Sequence, residues 1–158
     1  MIDHEGRGLR VGGPDDAELL GRMLHEFNAE FGQTEPPADL IGRLAGPQLA
    51  SGEVAVVFGP GDPPVGFAQL RYRSSLYEPG PDVCLEELWV RPGARGTGLG
   101  RALLEGAMDL AREHGATRID LNTSVADEAA RALYARCGFT NEELGAGGPS
   151  MLYYERDL

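Results

Sequence analysis

The feature that most restricts how this chain can fold lies near its middle. An apolar, strand-like run, VCLEELWV (83–90), leads through Arg91-Pro92 into RGTGLG (95–100), and residues 98–114 then carry a helical period that Gly115 ends. Glycine loses more conformational freedom on ordering than any other residue, so Gly96, Gly98 and Gly100 together mark a backbone that turns tightly or approaches something closely. A strand that delivers such a turn to a helix start builds an anion site, because the first helical N–H groups lack intrahelical acceptors and point outward with the positive dipole end. A phosphate group suits that arrangement. Spacing excludes two familiar phosphate loops. A P-loop needs Lys followed by Ser or Thr after its last glycine, where this chain has Arg101-Ala102, and the fingerprint G-x-G-x-x-G is here G-x-G-x-G from Gly96.

The elements around this turn define a fold class. GLRVG (8–12) is strand-like, and Pro14-Asp15-Asp16 opens a helix with Leu19, Leu20, Met23, Leu24, Phe27 and Phe31 at helical spacing, ending near Gly32. Residues 38–50 are a weaker helical stretch that Gly46-Pro47 interrupts. Strand patterns follow at 53–58, 65–73 and 83–90, with connectors short enough for an antiparallel meander. After the 98–114 helix come a strand at 117–122, a helix at 125–137 ended by Gly138, and strands at 139–143 and 150–156. Strand–helix–strand crossovers join parallel neighbours. The expectation is one α/β domain over residues 1–158, with a mixed, mostly antiparallel sheet of six to seven strands and helices on both faces.

Composition narrows the partners. With 42% hydrophobic residues, 25% charged ones and no apolar run approaching the roughly 20 residues of a membrane span, the chain reads as soluble and globular. A net charge of −11 repels polyphosphate backbones and anionic bilayers, so neither nucleic acid nor membrane is an expected partner. MIDHEGRGLR lacks the apolar core of a signal peptide, and Cys84 and Cys137 make neither a disulfide framework nor a zinc site, which points to the cytoplasm. His4, His25 and His114 have no ligand spacing with other donors, so no metal is expected.

Arg95, Gly98 and Gly100 form R-x-x-G-x-G after the strand ending Leu88-Trp89-Val90, and ARALYARCGF (130–139) carries a tyrosine in its helix. Together these segments resemble the signatures of the GCN5-related N-acetyltransferases, and the order of elements from 8 to 156 is similar to that family's fold. The resemblance implies acetyl-coenzyme A as cosubstrate, held by Leu88, Trp89, Val90, Arg95, Gly96, Thr97, Gly98, Leu99, Gly100 and Arg101. It also implies that backbone N–H groups near Trp89 and Val90, where the strand bulges and leaves its parallel neighbour, stabilise the oxyanion. Many members have asparagine where this chain has Asp127. Here Ser124-x-x-Asp127 suits a capping box, and Asn122 is the substitute for that coenzyme contact.

Acetyl transfer needs a base, because an alkyl amine with a pKa near 10 is mostly protonated at neutral pH. Glu86 and Glu87 are adjacent in the 83–90 strand, and strand alternation sends them to opposite faces. The resemblance favours Glu86 as base, directly or through water; Glu87 is the better fit to a structural ion pair. Tyr134 is the corresponding acid at the coenzyme sulfur. On the residues alone, a tyrosine beside the apolar stripe of Ala129, Leu133 and Cys137 is most often a core side chain. Segments 25–37, 71–82 and 141–150 hold Glu26, Glu30, Glu35, Glu78, Asp82, Glu142 and Glu143 against few bases, which favours a small cationic amine as acceptor. The alternative is a module that binds acetyl-coenzyme A without catalysis, as a sensor or interaction domain. The family also implies a homodimer.

Overall fold

The computed structural model describes residues 7–158. They form two compact units, one ending at Asp120 and the other running from Leu121 to Leu158. His4 lies outside the described residues.

The first unit is a five-stranded sheet flanked by helices. Its elements are β1 (Arg10–Val11), α1 (Ala17–Glu30), α2 (Ala38–Ser51), β2 (Val54–Phe58), β3 (Gly66–Ser74), β4 (Pro81–Val90), α3 (Leu99–Glu113) and β5 (Ile119–Asp120), with short 3-10 turns at Pro14–Asp16 and Pro92–Ala94. Strand order follows the chain, β1 to β5; the first three pairings are antiparallel and β4–β5 is parallel. The mixed, mostly antiparallel sheet is as expected. Its strand number is five rather than six to seven, because residues 139–143 and 150–156 form a single antiparallel bridge, Glu142 to Ser150, and no strand.

Side-chain alternation divides the core between two faces. Val54, Val56, Phe58, Phe67 and Trp89 pack with Leu20 and Met23 of α1 and Ala45 and Leu49 of α2. Val57, Ala68, Leu70 and Leu85, one position out of phase, turn to the other face with Leu103, Leu104 and Ala107 of α3, and all seven are buried. Helices therefore cover both faces, as the pattern requires. Phe31 lies past the end of α1 and is exposed, not core.

α1 and α2 approach closely because both carry glycine at the crossing. A Cβ added at Gly21 would lie 2.5 Å from the Ala38 carbonyl oxygen and 2.7 Å from the Gly42 nitrogen. This packing explains a difference from the sequence pattern: α2 runs unbroken through Gly46-Pro47 to Ser51. Proline removes one intrahelical bond, and the contact with α1 outweighs that local penalty.

In the second unit α4 spans Glu128–Arg136 and starts three residues later than its apolar pattern suggests. Asp127 is its N-cap, its Oδ1 accepting the Ala130 N–H at 3.0 Å. Ser124 Oγ accepts the Ala126 N–H instead of closing a capping box with Asp127. Tyr134 is half-buried, with its ring 5.8 Å from that of Phe139.

Candidate active site

The middle and the C-terminal end of β4 position most of the candidate site residues. At the C-terminal end, β4 passes through the turn at Pro92–Ala94 into the glycine loop and α3. Gly96 and Gly98 have φ of 75° and 85°, a region that residues with a Cβ rarely occupy. A Cβ built at either would meet nothing within 4 Å, so the backbone conformation demands the glycines while the space beside them stays open. Thr97 Oγ1 ties the turn by donating to the Ala94 carbonyl at 2.8 Å. The first bond of α3 runs from the Ala102 N–H to Gly98 C=O, which leaves the Leu99 and Gly100 amides without intrahelical acceptors. A 15-residue helix thus presents its positive end at an exposed glycine turn. Leu88, Trp89, Val90, Arg95, Gly96, Thr97, Gly98, Leu99, Gly100 and Arg101 are brought together in this one strand–turn–helix unit.

The Arg91 N–H donates to Val65 C=O on the β3 side at 2.8 Å. By strand alternation the Val90 N–H and C=O face the opposite side. The Val90 carbonyl is taken there by Arg95 Nε at 2.8 Å. On that side β5 pairs only with Val83 and Cys84, so β4 leaves its parallel neighbour after Cys84, well before Val90. Of the two amides named as oxyanion donors, Val90's is the one turned to that side.

The bulge is not at Trp89 and Val90 but earlier in β4. Gln69 pairs with Glu87 and Leu70 with Leu85, so Glu86 is the extra residue. This changes where the two carboxylates point. Gln69 and Arg71 lie on the α1/α2 face, opposite Val56 and Val54, and both donate to Glu86: Gln69 Nε2 to Oε2 at 2.6 Å and Arg71 Nε to Oε1 at 2.6 Å. Glu87, paired with Gln69, shares that face. The opposite-faces expectation fails because a bulge resets the alternation.

Their surroundings then differ. Glu86 has donors on both oxygens, and Arg71 also reaches Glu53 at 2.7 Å and Gln48 at 2.8 Å. The Glu86 hydrogen bond, above all, pushes the Arg71 guanidinium up from its ordinary value. Glu87 is half-buried and accepts no hydrogen bond among the described residues. Burial first, and the neighbouring Glu86 charge second, push it up to about 7. One bulge places beside each other a carboxylate locked in an ion network and a carboxylate that titrates near neutral pH.

Two of the acids counted toward an acceptor have other partners. Glu26 takes Arg91 in a two-bond contact at 2.9 and 2.7 Å, and Glu30 takes Arg95 at 3.0 and 2.7 Å. Sequence reasoning missed this, although the spacing was visible: 26 and 30 are four apart on a helix, and 91 and 95 are four apart across the turn that follows β4. Glu78 and Asp82 line a cavity with Tyr77 and Asp120, but Arg73 and Arg118 also line it and offset their charge. Cys84 is pushed up to about 11 by burial first and then by Asp120, which suits an unreactive thiol. Among the described residues no cluster of His, Cys, Asp or Glu could hold a metal, and no helix is long and apolar enough to cross a membrane. Asn122, exposed, and Tyr134 belong to the second unit.

Residues 20–139 match the Acetyltransferase (GNAT) family. This chain belongs to that family. A streptothricin acetyltransferase of Streptomyces lavendulae is 33% identical over 155 residues, covering 83% of this chain and 80% of that protein. A mycothiol acetyltransferase of Beutenbergia cavernae is 41% identical over 70 residues, which span 42% of this chain and 24% of that longer protein. Among solved structures, an acetyltransferase candidate from Arthrobacter sp. FB24 superposes with a TM-score of 0.86 at 41% identity, covering 95% of each chain.

Proposed function

We propose that this GNAT-family chain is an N-acetyltransferase that moves an acetyl group from acetyl-coenzyme A to a primary amine of a small, cationic acceptor, by direct attack in a ternary complex. The observation that carries the reading is a single strand, β4, with an open anion cradle beyond its C-terminal end and a Glu86–Glu87 carboxylate pair at the bulge in its middle. The open space at Gly96 and Gly98 and the amides at the start of α3 fit a pyrophosphate. Residues 95–101 would hold it, with Leu88, Trp89 and Val90 beside the arm that carries the acyl group. Bound acetyl-coenzyme A supplies an activated thioester.

The residues of this chain do the rest. The base removes a proton from an ammonium whose ordinary pKa is near 10, and a carboxylate near 7 is better matched to that task than one near 4.5. Sequence resemblance favours Glu86; the geometry moves the assignment to Glu87, because both oxygens of Glu86 already have donors. Glu86 then adds negative charge that attracts the cationic amine and raises the proton affinity of Glu87. The Val90 N–H donates to the developing oxyanion. Tyr134 donates to the departing sulfur, a role supported by its place in Ala-Leu-Tyr-Ala-Arg-Cys-Gly-Phe. Asn122 as a coenzyme contact, the homodimer and the cytoplasmic setting belong to the same proposal.

The test is release of free coenzyme thiol from acetyl-coenzyme A across polyamines, aminoglycosides, streptothricin-like amines and lysine peptides. Turnover with one class, lost in Glu87→Gln and reduced in Tyr134→Phe, is the expected result. Binding of acetyl-coenzyme A without turnover on any amine contradicts the enzymatic reading and favours a sensor.

A further inference from the structure

Glu30 is an odd residue for its position. It is the last residue of α1, where the helix presents its negative dipole end, so a carboxylate there is locally unfavourable. Its partners account for it. Glu30 Oε1 accepts the Trp89 indole N–H at 2.8 Å, and both of its oxygens accept from Arg95. Arg95 in turn donates through Nε to Val90 C=O. Trp89 is buried, so one carboxylate reaches the last core residue of β4 and the first residue of the glycine loop. Burial pushes Glu30 up, but the Arg95 and Trp89 hydrogen bonds outweigh it and hold the carboxyl below the usual carboxylate range. One turn earlier on α1, Glu26 holds Arg91 in parallel, and the Arg91 guanidinium lies 6.0 Å from the centre of the Trp89 ring.

We infer that Glu30 is a positioning residue for the coenzyme loop: acting through Arg95 and Trp89, it fixes the corner 89–95 so that the amides following it stay arranged for a pyrophosphate. The inference rests on the acetyl-coenzyme A reading above. It changes what Arg95 is for. In R-x-x-G-x-G the arginine is naturally taken as a phosphate ligand, whereas here Nε is committed to a backbone carbonyl and one terminal nitrogen to a carboxylate. The guanidinium is a brace between α1 and the loop, and the cradle itself is backbone.

Trp89 is the chain's single tryptophan, so its emission reads the brace and the adjoining site directly. Acetyl-coenzyme A would be titrated into the wild type, Glu30→Gln, Arg95→Gln and the double variant, following Trp89 fluorescence, with calorimetry as a second measure. Glu30→Gln keeps the size of the side chain and relieves the unfavourable dipole contact, so it is expected to fold. Each single variant is expected to weaken binding about tenfold, the loss of one charge-assisted contact. The double variant is expected to be no worse than either single one, since both residues act through the same contact. With an acceptor in hand, the KM for acetyl-coenzyme A rises while kcat stays within about twofold, and Glu30→Asp recovers part of the loss.

A Glu30→Gln affinity equal to that of the wild type overturns the inference. So does tighter binding, which would mean that Glu30 competes with the phosphates for Arg95, and so do losses that multiply in the double variant. Absence of acetyl-coenzyme A binding by the wild type is a different failure: it overturns the functional reading itself, and this inference with it.

Discussion

The C-terminal end of β4 and the bulge at its middle are built on different principles. At the loop end the working groups are backbone amides, the turn is exposed, and the requirement on residue type is a positive φ at Gly96 and Gly98. At the bulge the working groups are side chains, Glu87 is half-buried, and the requirement is charge held by Gln69 and Arg71. The loop should therefore be most sensitive to shape at its two glycines, and the bulge to charge.

The largest effect should come from shape at the loop. A β-branched side chain at a φ of 85° is strained, so Gly98→Val is expected to weaken acetyl-coenzyme A binding roughly 100-fold, as measured by calorimetry. Affinity close to that of the wild type would mean that the cradle does not depend on this turn.

At the bulge, Glu87→Gln should stabilise the protein at alkaline pH. The folded value of Glu87, about 7, lies above its ordinary 4.5, so its favourable contribution is complete below pH 4.5 and is lost as pH rises through 7. At pH 8 the ionised, half-buried group is destabilising, and Glu87→Gln is expected to gain about 2 kcal/mol there after allowance for screening, with almost no gain at pH 4. Denaturant melts at the two pH values check this.

A smaller change should follow from the ion network. Arg71→Met removes the cation that balances Glu86 and so leaves more negative charge beside Glu87. The inflection of the pH–rate profile is expected to move up by about one unit. No movement would show that the pair is not electrostatically joined to Arg71. Smallest of all, Asp127→Ala removes the α4 cap and should cost about 1 kcal/mol of stability with no change in acetyl-coenzyme A affinity. A marked loss of affinity would return Asp127 to the coenzyme site.

The loop was legible in the sequence because its requirement is written in residue identity: a positive φ asks for glycine, and glycines at 96 and 98 are visible without any partner strand. The bulge was not. Alternation along β4 alone sends Glu86 and Glu87 to opposite faces; only the register of β3, shifted between Gln69 and Leu70, places them together. A property of two strands cannot be read from one. The same limit applies to residues 139–143 and 150–156, whose composition is strand-like. A strand also needs a partner ladder, and a single bridge joins Glu142 to Ser150 while Leu152, Tyr153 and Tyr154 stay exposed. Pro47 misled in the other direction, since the glycine-mediated packing of α1 on α2 outweighs a local helix breaker. The Glu26–Arg91 and Glu30–Arg95 pairs left a signal, matched four-residue spacings, but nothing local says that the two segments meet.

The central claim is that β4 joins an acetyl-coenzyme A cradle to a base that titrates near neutral pH. The most direct measurement is the pH dependence of kcat/KM for coenzyme thiol release, from pH 5.5 to 9, for the wild type, Glu87→Gln and Glu86→Gln. A rise with an inflection near 7 in the wild type, abolished in Glu87→Gln and retained with a shift to lower pH in Glu86→Gln, is the predicted result. A Glu87→Gln profile that keeps the wild-type inflection, with the inflection lost in Glu86→Gln instead, would contradict it.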